Sequence, residues 1–239
     1  MTAGFGARGM DAVVVPIHVT SRDLPAFLES AKALQNVDGV IATVPHKFDA
    51  YGFCSAASDR ARFLGAANVL RRSDDGGWYG DMVDGTGFVA ALHEAGGQTQ
   101  GRRALLVGAG GAGSAIAHAL VESGVASLAV CDADAARRDA LVSRLAGLNQ
   151  ARIEAGTDDP AGFDLVVNAT PMGMKEGDPS PVRVDNLAVN AFVGDAITVP
   201  EVSPLIAAAR ANGCGTVTGL QMFASVSARM LDFYSEPNP

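Results

Sequence analysis

The segment "ALLVGAGGAGSAIAHALVESGV", residues 104–125, is the strongest indication of the fold of this chain. It begins with a short apolar run, which predicts a buried strand. Gly108, Gly110 and Gly113 follow with the spacing G-x-G-x-x-G, and the alanine-rich run after them predicts a helix. A glycine turn between a strand and a helix is typical of a doubly wound, Rossmann-type unit that binds a dinucleotide.

The three glycines of this turn have different physical roles. The first permits a tight turn, the second lets the backbone approach a pyrophosphate, and the third lets the helix pack closely on the strand. Free N–H groups and the positive end of the helix dipole then attract phosphate. A glycine-rich turn that serves packing alone is the alternative interpretation. The predicted cofactor-binding residues of the turn are Gly108, Ala109, Gly110, Gly111, Ala112 and Gly113.

Asp132 is the residue that predicts the type of cofactor. It follows the next apolar strand, "SLAVC", about 20 residues after the glycines. A carboxylate at this place accepts hydrogen bonds from the ribose hydroxyls of NAD and repels the 2′-phosphate of NADP. We therefore expect NAD, with NADP as the alternative cofactor. A carboxylate that only caps the following helix is the alternative interpretation of Asp132.

Strands and helices alternate along the rest of the chain. Residues 11–19 and 39–44 predict two strands joined by a helix, which favours a parallel sheet near the N-terminus. The sequence Asp-Asp-Gly-Gly at 74–77 predicts a hairpin turn, and residues 163–173 predict another buried strand. The polar, glycine-rich stretch 93–103 lies between these parts. The fold class is therefore α/β, with two units.

Composition excludes several classes of partner. The net charge of −8 and the pI near 4.9 argue against nucleic acid and anionic membrane surfaces. No apolar run reaches the roughly 18 residues that a membrane span needs. The three cysteines have no metal-ligand spacing, so no metal site is predicted. A cytoplasmic protein that acts on a small molecule is the expectation.

The segment "GVIATVPHK", residues 39–47, places a lysine just after a predicted strand. Lys47 is either a solvated strand end or a catalytic cation. Asp84, which precedes a glycine, is either a turn or cap residue or the partner of that lysine. Asn68 either satisfies a turn or donates to a substrate hydroxyl. The residues alone leave these alternatives open.

Six segments in one order resemble the shikimate dehydrogenase family, which includes the quinate/shikimate dehydrogenases. The first, "GVIATVPHK", resembles that family's G-x-N-V-T-x-P-x-K, and "GAANVL" and "GDMVDGTGF" resemble its GAxNT and NTDGxGF. The others are "GAGGAGSA", "NATPMGM" and "SPLIAAARANGCGTVTGLQMF". The similarity extends over residues 3–234, so its motifs are jointly specific.

The resemblance implies an N-terminal α/β substrate domain, a Rossmann domain and a C-terminal helix that returns to the first domain. The expected bounds are 1–86 with 219–239 for the substrate domain and 87–218 for the Rossmann domain. It also implies reversible hydride transfer between NAD(P) and the C3 carbon of a shikimate-like ring, a step of aromatic amino acid biosynthesis. The implied partner is a cyclic hydroxy acid, and the protein is expected to be a monomer or a homodimer.

The resemblance assigns roles to residues at matching positions. Lys47 and Asp84 are the implied catalytic pair, and Thr43 and Asn68 are the implied substrate-binding residues. The residues implied to lie beside the nicotinamide are Asn168, Ala169, Thr170, Gly219 and Met222. For Met222, a place in the hydrophobic core is an equal alternative.

The chain also departs from the family pattern. The family's Ser-x-Ser-Pro segment, which binds the substrate carboxylate, has no counterpart, so that segment either precedes Met1 or is lost. Apolar or shorter residues occupy five polar positions of the family: Ile41, Met82, Val83, Thr198 and Val226. Lost hydrogen-bonding groups reduce discrimination for a polyol. The alternatives to shikimate are therefore a less hydroxylated ring or a non-catalytic paralogue that senses a ligand.

Overall fold

A computed structural model describes residues 1–236 of the chain, which divides into two compact units. Unit one contains Met1–Val83 and the residues from Ser227 onward, and unit two is Asp84–Val226. The domain bounds expected from the family, 86/87 and 218/219, lie near these divisions. Both units are mixed α/β structures, which confirms the predicted fold class.

Unit one is built on a small mixed sheet. Its elements are α1 (Thr2–Ala7), α2 (Leu24–Ala33), β1 (Gly39–Ile41), α3 (Lys47–Tyr51), β2 (Ala56–Ala57), α4 (Asp59–Leu64), β3 (Val69–Arg72) and β4 (Trp78–Asp81). The strand order is β1-β3-β4-β2. Strands β3 and β4 form an antiparallel hairpin around 74–77, as predicted, whereas β2 is parallel to β4.

The predicted strand at residues 11–19 is wrong. This stretch has no regular secondary structure, and Val13, Val15 and Ile17 are 71%, 66% and 61% exposed. Strand β1 instead pairs with β3 in the antiparallel sense, so the expected parallel pairing is also wrong. The branched side chains of 11–19 suit a strand, but a strand forms only where a neighbouring edge accepts its N–H and C=O groups.

Unit two contains a six-stranded, fully parallel sheet. Its elements are α5 (Asp84–Glu94), β5 (Arg103–Val107), α6 (Gly111–Glu122), β6 (Ser127–Cys131), α7 (Ala135–Ala146), β7 (Arg152–Ala155), β8 (Leu165–Asn168), a 3-10 helix (Val184–Asn186), β9 (Phe192–Asp195), α8 (Pro204–Ala211), β10 (Gly215–Val217) and the first part of α9 (Gly219–Ser235). The strand order is β10-β9-β8-β5-β6-β7. From β5 the chain continues through β6 to β7 at one edge of the sheet, and from β8 it continues through β9 to β10 at the other edge. Ligands of such sheets bind at the carboxyl ends of the strands where this reversal occurs.

The last turns of α9 pack on the sheet of unit one, as the resemblance implied. The buried Arg71 of β3 donates from Nη1 to the carbonyl of Phe233. Its guanidinium lies 5.2 Å from the ring centre of Tyr79 and 4.7 Å from that of Phe233. The hydroxyl of Tyr234 donates to the carbonyl of Val40 at 3.0 Å, and burial raises the pKa of that phenol. The guanidinium of Arg71 and the phenol of Tyr234 thus join the last turns of α9 to strands β3 and β1.

We expect Arg71→Met to destabilise unit one by about 2–3 kcal/mol, because it removes a hydrogen bond to a buried carbonyl and two cation–π contacts. Trp78, the only tryptophan of the chain, is buried in unit one, so its fluorescence during urea unfolding reports on that unit. Lys32→Met is the matched control, because Lys32 lies in the same unit and pairs with Glu29 at an exposed site. Equal unfolding midpoints for the two variants would contradict the prediction.

Candidate active site

Lys47 is a buried residue at the first position of α3, with 8% of its surface exposed. The interpretation of Lys47 as a solvated strand end is therefore wrong. A turn in which His46 N donates to Thr43 O at 2.8 Å leads from β1 into α3. The backbone carbonyl of Lys47 accepts from Ala67 N at 2.8 Å, which fixes the lysine beside the segment that contains Asn68.

Asn68 is buried directly before β3, and its N–H, its C=O and its side-chain oxygen each form a hydrogen bond. Its N–H donates to Asp81 O at 2.9 Å, and its C=O accepts from Ala42 N at 2.8 Å. Its side-chain Oδ1 accepts from Val83 N at 3.0 Å. This last bond satisfies a turn, as one interpretation expected, and it also defines the nitrogen as the donor end of the amide. Asn68 thus has the orientation that a donor to a ligand oxygen needs.

The three predicted residues of unit one lie at one end of its sheet. Ile41, the last residue of β1, is opposite Val69, the first of β3. The turn that contains Thr43 follows β1 and leads to Lys47 at the start of α3, and Asn68 directly precedes β3. These three residues therefore lie at the same end of the sheet. Thr43 is exposed there, so its hydroxyl is accessible to a small molecule.

The sequence motifs assign no role to Asp81, a buried carboxylate at the end of β4. It accepts from Ser58 Oγ, from Nε of Arg60 at 2.8 Å, from Nη2 of Arg60 and from its neighbour Met82 N at 2.7 Å. The carboxylate holds the backbone of 81–83 in place, and this backbone in turn binds Asn68. An acidic residue at the end of a strand was the only available signal.

Asp84 is the first residue of α5 and of unit two, and it is 5% exposed. A carboxylate in the first turn is favoured by the helix dipole, so the interpretation as a helix-start residue fits the structure. Its burial, at the residue next to Val83, also fits the implied catalytic role. The structure thus leaves that role as a proposal.

The glycine turn of unit two has the geometry that the motif predicts. Gly108 has a φ of +104°, which other residues rarely adopt. A Cβ on Gly113 would lie 1.9 Å from the carbonyl oxygen of Gly108, so only glycine permits this approach of α6. A Cβ on Gly110 would meet no heavy atom within 4 Å. Open space therefore lies beside the N-terminal N–H groups of α6, which fits a pyrophosphate.

Asp132 contacts the glycine turn directly, which the sequence did not indicate. Its Oδ2 accepts from Ala109 N at 2.6 Å and its Oδ1 from Asp134 N at 2.8 Å. The residue that caps α7 is Asp134, which accepts from Arg137 N at 3.1 Å, so the cap interpretation of Asp132 is wrong. Nη1 of Arg137 lies 3.9 Å from Asp132 Oδ1. Asp132 thus fixes the glycine turn from the end of β6, which is where the sequence motif predicts the ribose of the dinucleotide.

The remaining predicted residues also lie in unit two. Asn168 ends β8, and its Oδ1 accepts from Thr170 N at 2.9 Å and from Thr170 Oγ1 at 2.7 Å. Gly219 opens α9, where a Cβ would lie 2.1 Å from Ile197 O. Met222 is buried, which fits its alternative place in the core. A Cβ on Gly108 would lie 2.8 Å from the carbonyl carbon of Ala169, so Ala169 lies against the glycine turn.

Three of the five departures from the family pattern are core residues. Met82 and Val83 are buried in unit one, and Val226 is buried in unit two. Ile41 and Thr198 are partly exposed. The apolar replacements at 82 and 83 contribute packing, while the backbone N–H groups of the same two residues bind Asp81 and Asn68. The segment thus keeps its position without polar side chains.

Two further features concern residues 1–236 as a whole. No group of three or more histidine, cysteine, aspartate or glutamate side chains among them is arranged to hold a metal ion. No helix among them has the length and apolar character needed to span a membrane.

Comparison with known proteins confirms the predicted resemblance. Residues 1–70 match the sequence profile of the shikimate dehydrogenase substrate binding domain. The shikimate dehydrogenase (NADP(+)) of Rubrobacter xylanophilus is 37% identical over 223 residues, which are 91% of this chain and 78% of that protein.

Two solved structures share the fold over 99% of this chain. Quinate dehydrogenase from Corynebacterium glutamicum in complex with NAD has a TM-score of 0.86 and 29% identity, and 88% of that chain is covered. The 5-ketofructose reductase of Gluconobacter sp. strain CHM43, in a ligand-free form, has a TM-score of 0.87 and 27% identity, with 87% of that chain covered.

Two glycine substitutions are expected to separate packing from ligand binding. Gly113→Ala should destabilise unit two by about 3 kcal/mol, because its Cβ overlaps a backbone oxygen that cannot move away. Gly110→Ala should leave stability nearly unchanged and weaken dinucleotide binding by about tenfold, because its Cβ occupies the space beside the helix N-terminus. Thermal unfolding and a titration of NADH or NADPH fluorescence measure the two effects. Equal dinucleotide affinity in wild type and Gly110→Ala would contradict the proposed position of the pyrophosphate.

Proposed function

The chain belongs to the shikimate dehydrogenase family, and we propose that it is an NAD(P)-dependent oxidoreductase for a shikimate-like cyclic hydroxy acid. The proposed reaction reduces the C3 ketone of 3-dehydroshikimate to the hydroxyl of shikimate, with NAD(P)H as the reductant, and is reversible. The observation that carries the proposal is the buried Lys47, fixed through Ala67 beside the oriented amide of Asn68.

The predicted catalytic and substrate-binding residues have separate proposed tasks. The ammonium of Lys47 donates a proton to the alkoxide that forms at C3 during reduction, and it takes the proton back in the oxidation. Asp84 stabilises the charged lysine. The Nδ2 group of Asn68 and the hydroxyl of Thr43 hold ring hydroxyls. These assignments are supported by the burial of Lys47 and Asn68 and by their common end of the sheet.

The residues of unit two are proposed to bind the dinucleotide. When bound, it supplies or accepts the hydride. The N–H groups at the start of α6 hold its pyrophosphate, and residues 168–170, Gly219 and Met222 border its nicotinamide. NAD is the proposed preference, because the carboxylate of Asp132 follows β6 where the ribose lies. The Corynebacterium glutamicum relative binds NAD and the Rubrobacter xylanophilus relative is named for NADP(+), so both occur among relatives.

The substrate class rests on the relatives and on unit one together. One relative is named for shikimate, another for quinate and a third for 5-ketofructose, an uncharged keto sugar. The polar groups of this chain, Thr43, Lys47 and Asn68, suit a ring that carries vicinal oxygens. We further propose a cytoplasmic location, a role in aromatic amino acid biosynthesis, and a monomer or homodimer.

A scan of absorbance at 340 nm tests the proposed function. Shikimate, quinate and 5-ketofructose are each offered with NAD(H) or NADP(H), in the direction that each substrate allows. Turnover of shikimate or quinate supports the proposal. Turnover of the keto sugar alone would replace the substrate class and keep the reaction type. Tight dinucleotide binding without turnover of any substrate would favour the non-catalytic, ligand-sensing paralogue.

Lys47→Ala is expected to lower kcat by about a thousandfold, which is the range of a lost general acid. Dinucleotide affinity should stay within about twofold, because Lys47 lies in unit one. Lys32→Ala is the matched control, since Lys32 is in the same unit and pairs with Glu29 at an exposed site. Steady-state rates and fluorescence titrations of all three proteins provide the measurement. A Lys47→Ala enzyme with near wild-type kcat would remove this residue from the mechanism.

Asp132→Ala is expected to lower the ratio of kcat/KM for NAD to that for NADP by about tenfold or more, because the carboxylate no longer repels a 2′-phosphate. Both affinities should also fall, since Ala109 N loses its acceptor. The ratio is therefore the informative quantity. Asp134→Asn is the control, because Asp134 caps α7 without contacting the glycine turn in the described bonds. An unchanged ratio in Asp132→Ala would contradict the proposed NAD preference.

A further inference from the structure

Asp195, the last residue of β9, is a buried carboxylate to which the proposed mechanism gives no role. Its Oδ1 accepts from Asn168 Nδ2 and from Ile197 N, each at 3.0 Å, and its Oδ2 accepts from Ser203 Oγ at 2.6 Å. Among residues 1–236, no salt bridge to Asp195 is described. Burial raises the pKa of this carboxyl, and the three hydrogen bonds oppose the rise. All three partners are able to donate a hydrogen bond to a carboxylate.

The bond to Asn168 fixes which way a buried amide points. Asn168 Nδ2 donates to Asp195 and, at 3.4 Å, to Met172 O, while its Oδ1 accepts twice from Thr170. A flipped amide would bring its oxygen against the carboxylate and its NH2 group against the N–H of Thr170. Because a buried donor or acceptor without a partner is costly, the carboxylate selects the observed orientation.

The orientation of the amide determines the position of the residues next to the glycine turn. Ala169 N donates to Val107 O at 2.8 Å, and a Cβ on Gly108 would lie 2.9 Å from Thr170 Cγ2. A Cβ on Gly113 would lie 3.3 Å from Ala169 Cβ. A displacement of Ala169 or Thr170 would therefore also move the glycine turn, which borders the proposed dinucleotide site.

We infer that Asp195 is a positioning residue for dinucleotide binding, which acts by orienting the Asn168 amide so that Ala169 and Thr170 lie against the glycine turn. The inference rests on the proposed function, since it concerns affinity for the same dinucleotide. Every residue in it belongs to unit two. Asp195 itself contacts neither the glycine turn nor Thr170 in the described bonds, so its effect on those residues passes through Asn168.

Exchange of the two side chains tests the inference. Asn168→Asp keeps the volume and both bonds from Thr170 but places two carboxylates together, so NADH affinity should fall by about tenfold. Adding Asp195→Asn removes one of the two charges and lets the new amide donate to the new carboxylate, although Ile197 N loses its acceptor, so affinity should recover in part, by about threefold over Asn168→Asp. A purely structural role for Asp195, or a direct contact of Asn168 with the dinucleotide, predicts no recovery. A double variant that binds no more tightly than Asn168→Asp would overturn the inference.

Ser203→Ala is the matched control, because it removes a different hydrogen bond to the same carboxylate and the cap of α8. It should lower the unfolding temperature and leave NADH affinity within about twofold. An equal loss of affinity in Ser203→Ala would show that general loosening, not the amide, is responsible, and would contradict the inference.

Two further outcomes are separable. If Asn168→Asp does not fold, Asp195→Ser, which shortens the acceptor beyond reach of Nδ2, should bind NADH about fivefold more weakly. Wild-type affinity in that variant would contradict the inference. A wild-type protein that binds neither NADH nor NADPH in the fluorescence titration would contradict the proposed function as well, whereas normal binding with unaffected variants would contradict only the role of Asp195.

Discussion

The close approach of α6 to the strand before it is the constraint on which unit two depends. Gly113 lies where any side chain would overlap the carbonyl oxygen of Gly108, and Gly108 has a backbone conformation that glycine adopts freely. Interiors are packed too tightly to absorb such an overlap. Two missing side chains therefore allow helix and strand to meet, and their contact directs the first N–H groups of α6 toward open space beside Gly110.

Buried or half-buried carboxylates at or just after strand ends recur in both units. Asp81 ends β4, Asp132 follows β6 and Asp195 ends β9, and each accepts from at least one backbone N–H. At the end of a strand the backbone leaves its ladder, and its N–H groups need new acceptors. A carboxylate supplies two oxygens for this purpose. Acidic residues at such positions therefore serve the backbone first, and any contact with a ligand is additional.

In unit one an amide, that of Asn68, also fixes the backbone, beside the carboxylate of Asp81. Asn68 joins its own segment to two others, because Ala42 of one and both Asp81 and Val83 of the other bond to it. The backbone carbonyl of Lys47 accepts a hydrogen bond from the N–H of Ala67, the residue before Asn68. The polar side chains of this unit are thus placed by backbone hydrogen bonds, which tolerate the apolar residues Met82 and Val83. This explains how the segment keeps its conformation while its side chains differ from the family pattern.

Features that depend on neighbours in the chain could be predicted from the sequence: the glycine turn, the strands and helices around it, the hairpin at 74–77 and the order of motifs that marks the family. Local periodicity and turn chemistry carry this information. Contacts between distant segments, in contrast, leave residues 11–19 without a strand partner, bring Asp132 to Ala109 N and bring Asp195 to the amide of Asn168. Each of these depends on which distant groups meet, and hydrogen-bond partners distant in sequence leave no mark in the residues around them.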